Sequence, residues 1–107
     1  MPGKYNNQKT EVDGHVFDSR REAERYIELK NDPTVAELTL QPKFLLQESF
    51  YKNNHKYREI NYISDFDILY KDGRREVEDV KGFVTEVFKI KMKLADYKYP
   101  DINFVVS

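Results

Sequence analysis

Two aspartates and a lysine, Asp65, Asp79 and Lys81, interrupt runs that otherwise read as β-strand. Tyr62 to Gly82 reads Tyr-Ile-Ser-Asp-Phe-Asp-Ile-Leu-Tyr, a turn at Lys71-Asp72-Gly73, then Arg-Arg-Glu-Val-Glu-Asp-Val-Lys-Gly. With a three-residue loop and Gly73 left-handed, Tyr70 pairs with Arg74, and counting outward sets Asp65 opposite Asp79. Cross-strand partners share a sheet face, and the side-chain period of two adds Lys81 to that face. A two-residue turn shifts the pairing by one and sends the aspartates to opposite faces.

Two carboxylates side by side repel, and a structural hairpin gains nothing from the pair. A divalent cation resolves the repulsion, because Mg²⁺ is hard and is held by one or two carboxylates, waters and phosphate oxygens. A lysine beside it can orient or deprotonate a water, or stabilise charge developing on phosphorus. A solvent-facing hairpin with its charges on the wet side accounts for the same residues without any chemistry, and Asp…Asp-x-Lys alone does not separate the two readings.

The flanking elements must bring further groups to this hairpin. Ser19-Arg20-Arg21-Glu22 is a capping box, so a helix is predicted from Ser19 to about Lys30, with Ala23, Tyr26, Ile27 and Leu29 on its apolar stripe. Glu22 falls inside that stripe. It is either the usual third residue of the box or a carboxylate turned toward the acidic hairpin. Arg20, Arg21 and Arg25 are candidate phosphate contacts, though solvated arginines are the ordinary case. Asn31-Asp32-Pro33 ends the helix. Val35 to Tyr51 follows as an extended segment interrupted at Gln41-Pro42, then a polar turn at Lys52 to Lys56 carrying an exposed His55. Tyr57 to Tyr70 and Glu76 to Lys81 form the central hairpin. Thr85 caps a second helix to about Lys98, with Val87, Phe88, Ile90, Leu94, Ala95 and Tyr97 as its buried stripe. Lys91 lies within that stripe, either snorkelling to its edge or reaching toward phosphate. Ile102 to Val106 is a final apolar strand that a crossover sets parallel to the sheet. Ahead of all this, residues 1–10 read as a loose polar arm and Glu11 to Phe17 as a short hairpin turning at Asp13-Gly14, with His15 an exposed strand residue.

The 107 residues make one domain, 11–107, behind the arm. The absence of cysteine excludes a disulfide framework and a zinc–thiolate site. No apolar run reaches membrane-spanning length, and no apolar leader opens the sequence. With 18 Lys and Arg against 19 Asp and Glu, the net charge is −1, so any nucleic-acid contact must come from a local patch or a metal.

Several stretches coincide with one family. Lys9 to Gly14, Phe17 to Tyr26, Leu40-Gln41-Pro42-Lys43-Phe44, Tyr62-Ile63-Ser64-Asp65-Phe66 and Val77-Glu78-Asp79-Val80-Lys81-Gly82 cover most of the chain in order. In them the chain resembles the PD-(D/E)XK nuclease superfamily, and more narrowly the small phage and prophage proteins grouped as domain of unknown function 1064. The resemblance implies an α/β fold with a restriction-endonuclease-like core, αβββαβ, its central mixed sheet flanked by helices. That element order is the one read above from the residues, here with a small N-terminal hairpin added. Glu22 corresponds to the first-helix carboxylate, Asp65 to the motif aspartate, Asp79 to the second acidic position and Lys81 to the motif lysine. Ser64 stands where the motif usually has proline.

The resemblance further implies Mg²⁺-dependent phosphodiester hydrolysis, with Mn²⁺ as substitute. Asp65, Asp79 and the Val80 carbonyl would bind metal, Glu22 a metal water or second ion, and Lys81 the attacking water and the phosphorus. Arg21, Arg25, Gln41 and Lys91 are the candidate DNA contacts. The expected protein is a cytoplasmic DNA endonuclease (host cytoplasm if phage-encoded) serving phage recombination or replication. By analogy it acts on branched DNA as a homodimer, alongside a replication or recombination partner. A non-catalytic nucleic-acid- or replication-protein-binding module on the same fold is the alternative, and a purely structural phage protein is a third reading.

Overall fold

The computed structural model describes residues 8–107. Most of the predicted loose arm lies outside them, but its end is tied down: Lys9 pairs with Asp18 and Arg20 donates to Gln8. Two helices and ten strands make a mixed α/β fold in which strands dominate. A short hairpin comes first, β1 (Thr10–Val12) and β2 (His15–Phe17), turning through left-handed Asp13 and Gly14. Helix α1 (Arg20–Lys30) starts where the capping box predicts, the Ser19 hydroxyl accepting the Glu22 N–H. It buries Ala23, Tyr26 and Leu29, whereas Ile27, expected on that stripe, is 44 % exposed.

The two long extended segments, the first predicted with its interruption at Gln41-Pro42, are each broken in three. The first gives β3 (Val35–Leu40), β4 (Lys43–Gln47) and β5 (Phe50–Lys52); the second gives β6 (His55–Tyr57), β7 (Ile60–Ile63) and β8 (Phe66–Tyr70). They remain antiparallel partners throughout, β3 with β8, β4 with β7 and β5 with β6. The outcome is one long ribbon that bends where Gln41 is left-handed (φ 50°) and where proline has no N–H to give a ladder. At the bend, Gln41 N–H donates to the Asp65 carbonyl and Ser64 N–H to the Pro42 carbonyl, so the interruption is hydrogen-bonded rather than loose.

A four-stranded sheet has the order β10-β9-β8-β3, with β9 (Arg75–Asp79) antiparallel to β8 and parallel to β10 (Asn103–Val106). The parallel pair needs a crossover, which helix α2 (Glu86–Lys98) supplies from its N-cap at Thr85. Helix α1 and the first hairpin cover one side, where Phe17, Tyr26, Leu29, Phe66, Ile68 and Val80 form a core. Helix α2 covers the other, setting Ala95 against Phe44, Tyr62, Val77 and Phe104.

The predicted stripe of α2 is the main correction. Only Ala95 is buried, with Phe88 and Met92 partly so, while Val87, Ile90, Leu94 and Tyr97 stay exposed. Ala95 and its neighbours fill the small apolar patch the sheet offers, and no other described element packs on the far side of the helix. The final strand is likewise an edge: Phe104 is buried but Val106 is 44 % exposed.

Candidate functional site

The turn between β8 and β9 sets the site. Gly73 takes φ 93°, Tyr70 N–H donates to the Arg74 carbonyl, and Phe66 pairs with Glu78. The regular pairing ends there: the Asp65 N–H bonds the Glu78 carbonyl, and the Asp65 side chain comes beside Asp79 just past the last paired residues. Asp79 is fully buried at 1 % exposure, and Asp65 is partly so.

Each carboxylate is gripped. Asp65 Oδ2 accepts the Val80 N–H at 2.7 Å, and Asp79 Oδ2 accepts the Tyr62 hydroxyl at 2.5 Å. Lys81 Nζ stands 3.7 Å from Asp79 Oδ1 and 4.9 Å over the Phe88 ring. Burial, and then the hydrogen bond it shares with Asp79, push the Asp65 carboxyl from an ordinary 3.8 up to about 8. Holding Asp65 neutral is one way such a carboxylate pair avoids its own repulsion. Burial also pushes the Tyr62 hydroxyl up, helped by its bond to Asp79, so it remains a donor.

Glu22 lies on the first turn of α1, half-buried, and shares with Asp65 and Gln41 the lining of a cavity of about 270 Å³. Its carboxyl is raised by burial and by the charges of Asp18 and Asp79, and drawn down by an Asp18 backbone hydrogen bond and by Lys81. Glu22, Asp65, Asp79 and Lys81 thus share one electrostatic neighbourhood. Among the described residues, however, no group of three or more His, Cys, Asp and Glu side chains stands close enough to hold a metal. The donor set that fits a cation is the aspartate pair. Asp79 carbonyl and Lys81 N–H both bond Ser107, which turns the intervening Val80 N–H and carbonyl toward Asp65. Two carboxylates and one carbonyl suit Mg²⁺, which keeps several waters.

The candidate DNA contacts divide. Gln41 lines the cavity from its left-handed position. Arg21 is exposed on α1, beside Val80 and Ser107. Lys91 is half-buried on α2 and outside the cavity. Arg25 makes a two-pronged pair with Glu78 at 2.7 and 2.8 Å and also holds Glu28. The Glu78 bond raises Arg25 further, and it stays charged. Ser64, fully buried, donates its hydroxyl to the Glu78 carbonyl, a bond the usual proline lacks.

Tyr62 and Glu78 were not anticipated. Period two does put Glu78 on the face opposite Asp79, under α1, so a buried partner for it was open to inference. Nothing local points Tyr62 at Asp79, because that contact depends on the bend at Ser64. His15 is an exposed strand residue that packs edge-on to Tyr26.

Fold and site together define a small mixed α/β protein whose central hairpin presents a buried aspartate pair beside a lysine. The chain belongs to the family described as Protein of unknown function (DUF1064), whose model matches residues 2–107. No curated protein and no solved structure matches it.

Proposed function

We propose that the chain is a Mg²⁺-dependent DNA endonuclease with a restriction-endonuclease-like core. The observation that carries the reading is the aspartate pair brought together at the ends of β8 and β9, Asp65 holding the Val80 N–H and Asp79 lying 3.7 Å from Lys81. Such a pair is an electrostatic cost without a cation and a ligand set with one. Asp65, Asp79 and the Val80 carbonyl would hold the ion, and Mn²⁺ would substitute. Bound there, it supplies Lewis acidity to a phosphoryl oxygen. Tyr62 fixes the Asp79 carboxylate by hydrogen bonding. Lys81, kept beside Asp79, orients the attacking water and offsets the charge that builds on phosphorus. Glu22, raised by its neighbours, accepts a hydrogen bond from a water on the cavity side. Gln41 and Arg21 flank the path of the strand. This reading carries with it host cytoplasm, service in phage recombination or replication, and action as a homodimer on branched DNA.

The test is incubation with duplex, single-stranded and four-way-junction DNA in Mg²⁺ or Mn²⁺, beside Asp79→Ala. Cleavage by the wild type, reduced on the order of a hundredfold or more in the variant, is the expected result. Calorimetric Mn²⁺ binding with no cleavage of any substrate sinks the enzyme, and equal rates on junction and duplex remove the branched-DNA clause. A second reading, a binding module on the same fold, draws on the absence of a three-carboxylate group among the described residues. In that case Asp79→Ala retains full DNA binding and the wild type cuts nothing.

A further inference from the structure

Beyond β4 and β7 the ribbon leaves the body bare. All six residues of β5 and β6 are exposed, and neither strand packs on any other described helix or strand. Asn53 and Asn54, at φ 51° and 63°, close it with two left-handed residues, the tightest hairpin connection. A two-stranded hairpin alone is marginal in water, and one that displays aromatics gains nothing from burial here. Phe50 and Tyr57 stack at 4.7 Å between centroids, His55 packs edge-on to Tyr57 at 4.5 Å, and Tyr51 is 72 % exposed.

Charge narrows the occupant. Ser49 to Arg58 holds Lys52, Lys56 and Arg58 and no carboxylate, in a chain of net charge −1; Glu48 and Glu59 stand at its base. Cross-strand pairing puts Phe50, Lys52, His55 and Tyr57 on one face and Tyr51 with Lys56 on the other. Each face thus combines a ring with a cation, the composition that binds phosphate and packs on sugars or bases. A two-stranded ribbon also matches the width of the major groove of B-DNA, about 12 Å.

We propose that β5–β6 is a DNA-gripping arm that lies in a groove of duplex DNA, Lys52, Lys56 and Arg58 on phosphates and Tyr51 on the groove wall. The arm continues from β4 and β7, which end at the bend that carries Asp65, and Tyr57 lies eight residues before it. At about 3.3 Å per residue that is at most about 26 Å, so the arm reaches phosphates within about one helical turn of that site. The distance to the cut rests on the nuclease reading; the binding does not.

The experiment is fluorescence anisotropy of the full chain on a 30-base-pair duplex, in EDTA so that nothing is cut, over a salt series from about 50 to 200 mM. The triple variant Lys52→Ala, Lys56→Ala, Arg58→Ala is compared with Lys71→Ala, Arg74→Ala at the opposite turn. Expected is an affinity loss of about tenfold or more in the arm variant, with its log–log salt slope shallower by about two to three, and little change in the control. Tyr51→Ala adds a loss that salt does not alter. Arm-variant affinity within twofold of wild type overturns the proposal, as does an equal loss in the control or a wild type that does not bind duplex. Cleavage in Mg²⁺ is read separately: a chain that cuts but does not need the arm loses this proposal alone, and one that binds through the arm but never cuts loses the nuclease reading alone.

Discussion

Asp65 makes the site's state depend on pH. Its carboxyl keeps a proton in the fold up to about pH 8, whereas the unfolded chain releases it near pH 4. Folding therefore takes up a proton between those values; the stabilisation is complete below pH 4 and is lost as pH rises through 8. Asp65→Asn fixes a neutral hydrogen-bonding group. Without divalent cations its melting temperature should match the wild type at pH 4 and exceed it by several degrees at pH 8.5, about 1–2 kcal/mol after discounting for partial exposure. A gap that does not change with pH means that Asp65 is not held neutral. Tyr62→Phe keeps the ring on Phe44, Phe88 and Phe104 but deletes the donor to Asp79. It should cost about 1.5–3 kcal/mol in urea denaturation and weaken Mn²⁺ binding by about tenfold, by calorimetry. The aspartates were legible because Gly73 fixes a turn that fixes a register. Tyr62 was not, since its reach across to Asp79 is a product of the bend.

At the scale of elements, α1 is fastened to the sheet by Arg25 and Glu78, whose side chain is 4 % exposed. Removing one partner of so buried a pair leaves the other uncompensated. Arg25→Ala should cost about 3–5 kcal/mol, and Arg25→Met with Glu78→Leu should recover much of that; denaturant midpoints of the three chains decide it. A loss under 1 kcal/mol in Arg25→Ala means the clamp opens to water. The mixed α/β class, both helices with their caps and the parallel crossover were legible, but seven short strands stand where three long ones were expected. The stripe of α2 did not hold. Helical periodicity identifies an apolar face without saying whether anything covers it, and Val77 with Phe104 offers too little surface to cover all of this one.

As a whole molecule the chain is less compact than its length suggests: the Cα radius of gyration is 15.9 Å, against about 13 Å for a compact chain of this size. The bare ribbon accounts for part of the excess. Replacing Tyr51 to Lys56 by Asn-Gly should lower the scattering radius and move the melting temperature by no more than about two degrees, because the deleted residues touch no core. A large destabilisation means the ribbon supports the body. Sequence reading found the polar turn at its tip but not its isolation, which follows from where the helices dock.

The long ribbon also has a kinetic side. Asp65, Asp79 and Lys81 are joined by a tight local hairpin, whereas Glu22 reaches them only once α1 has closed its more distant contacts. Local pairings form before distant ones. The two acids thus meet early in the folding reaction, with one lysine beside two carboxylates. Repulsion within the hairpin then slows refolding as pH rises, and a dissolved divalent cation relieves it, so the residues proposed to cut DNA also act as a brake on the assembly of their own chain.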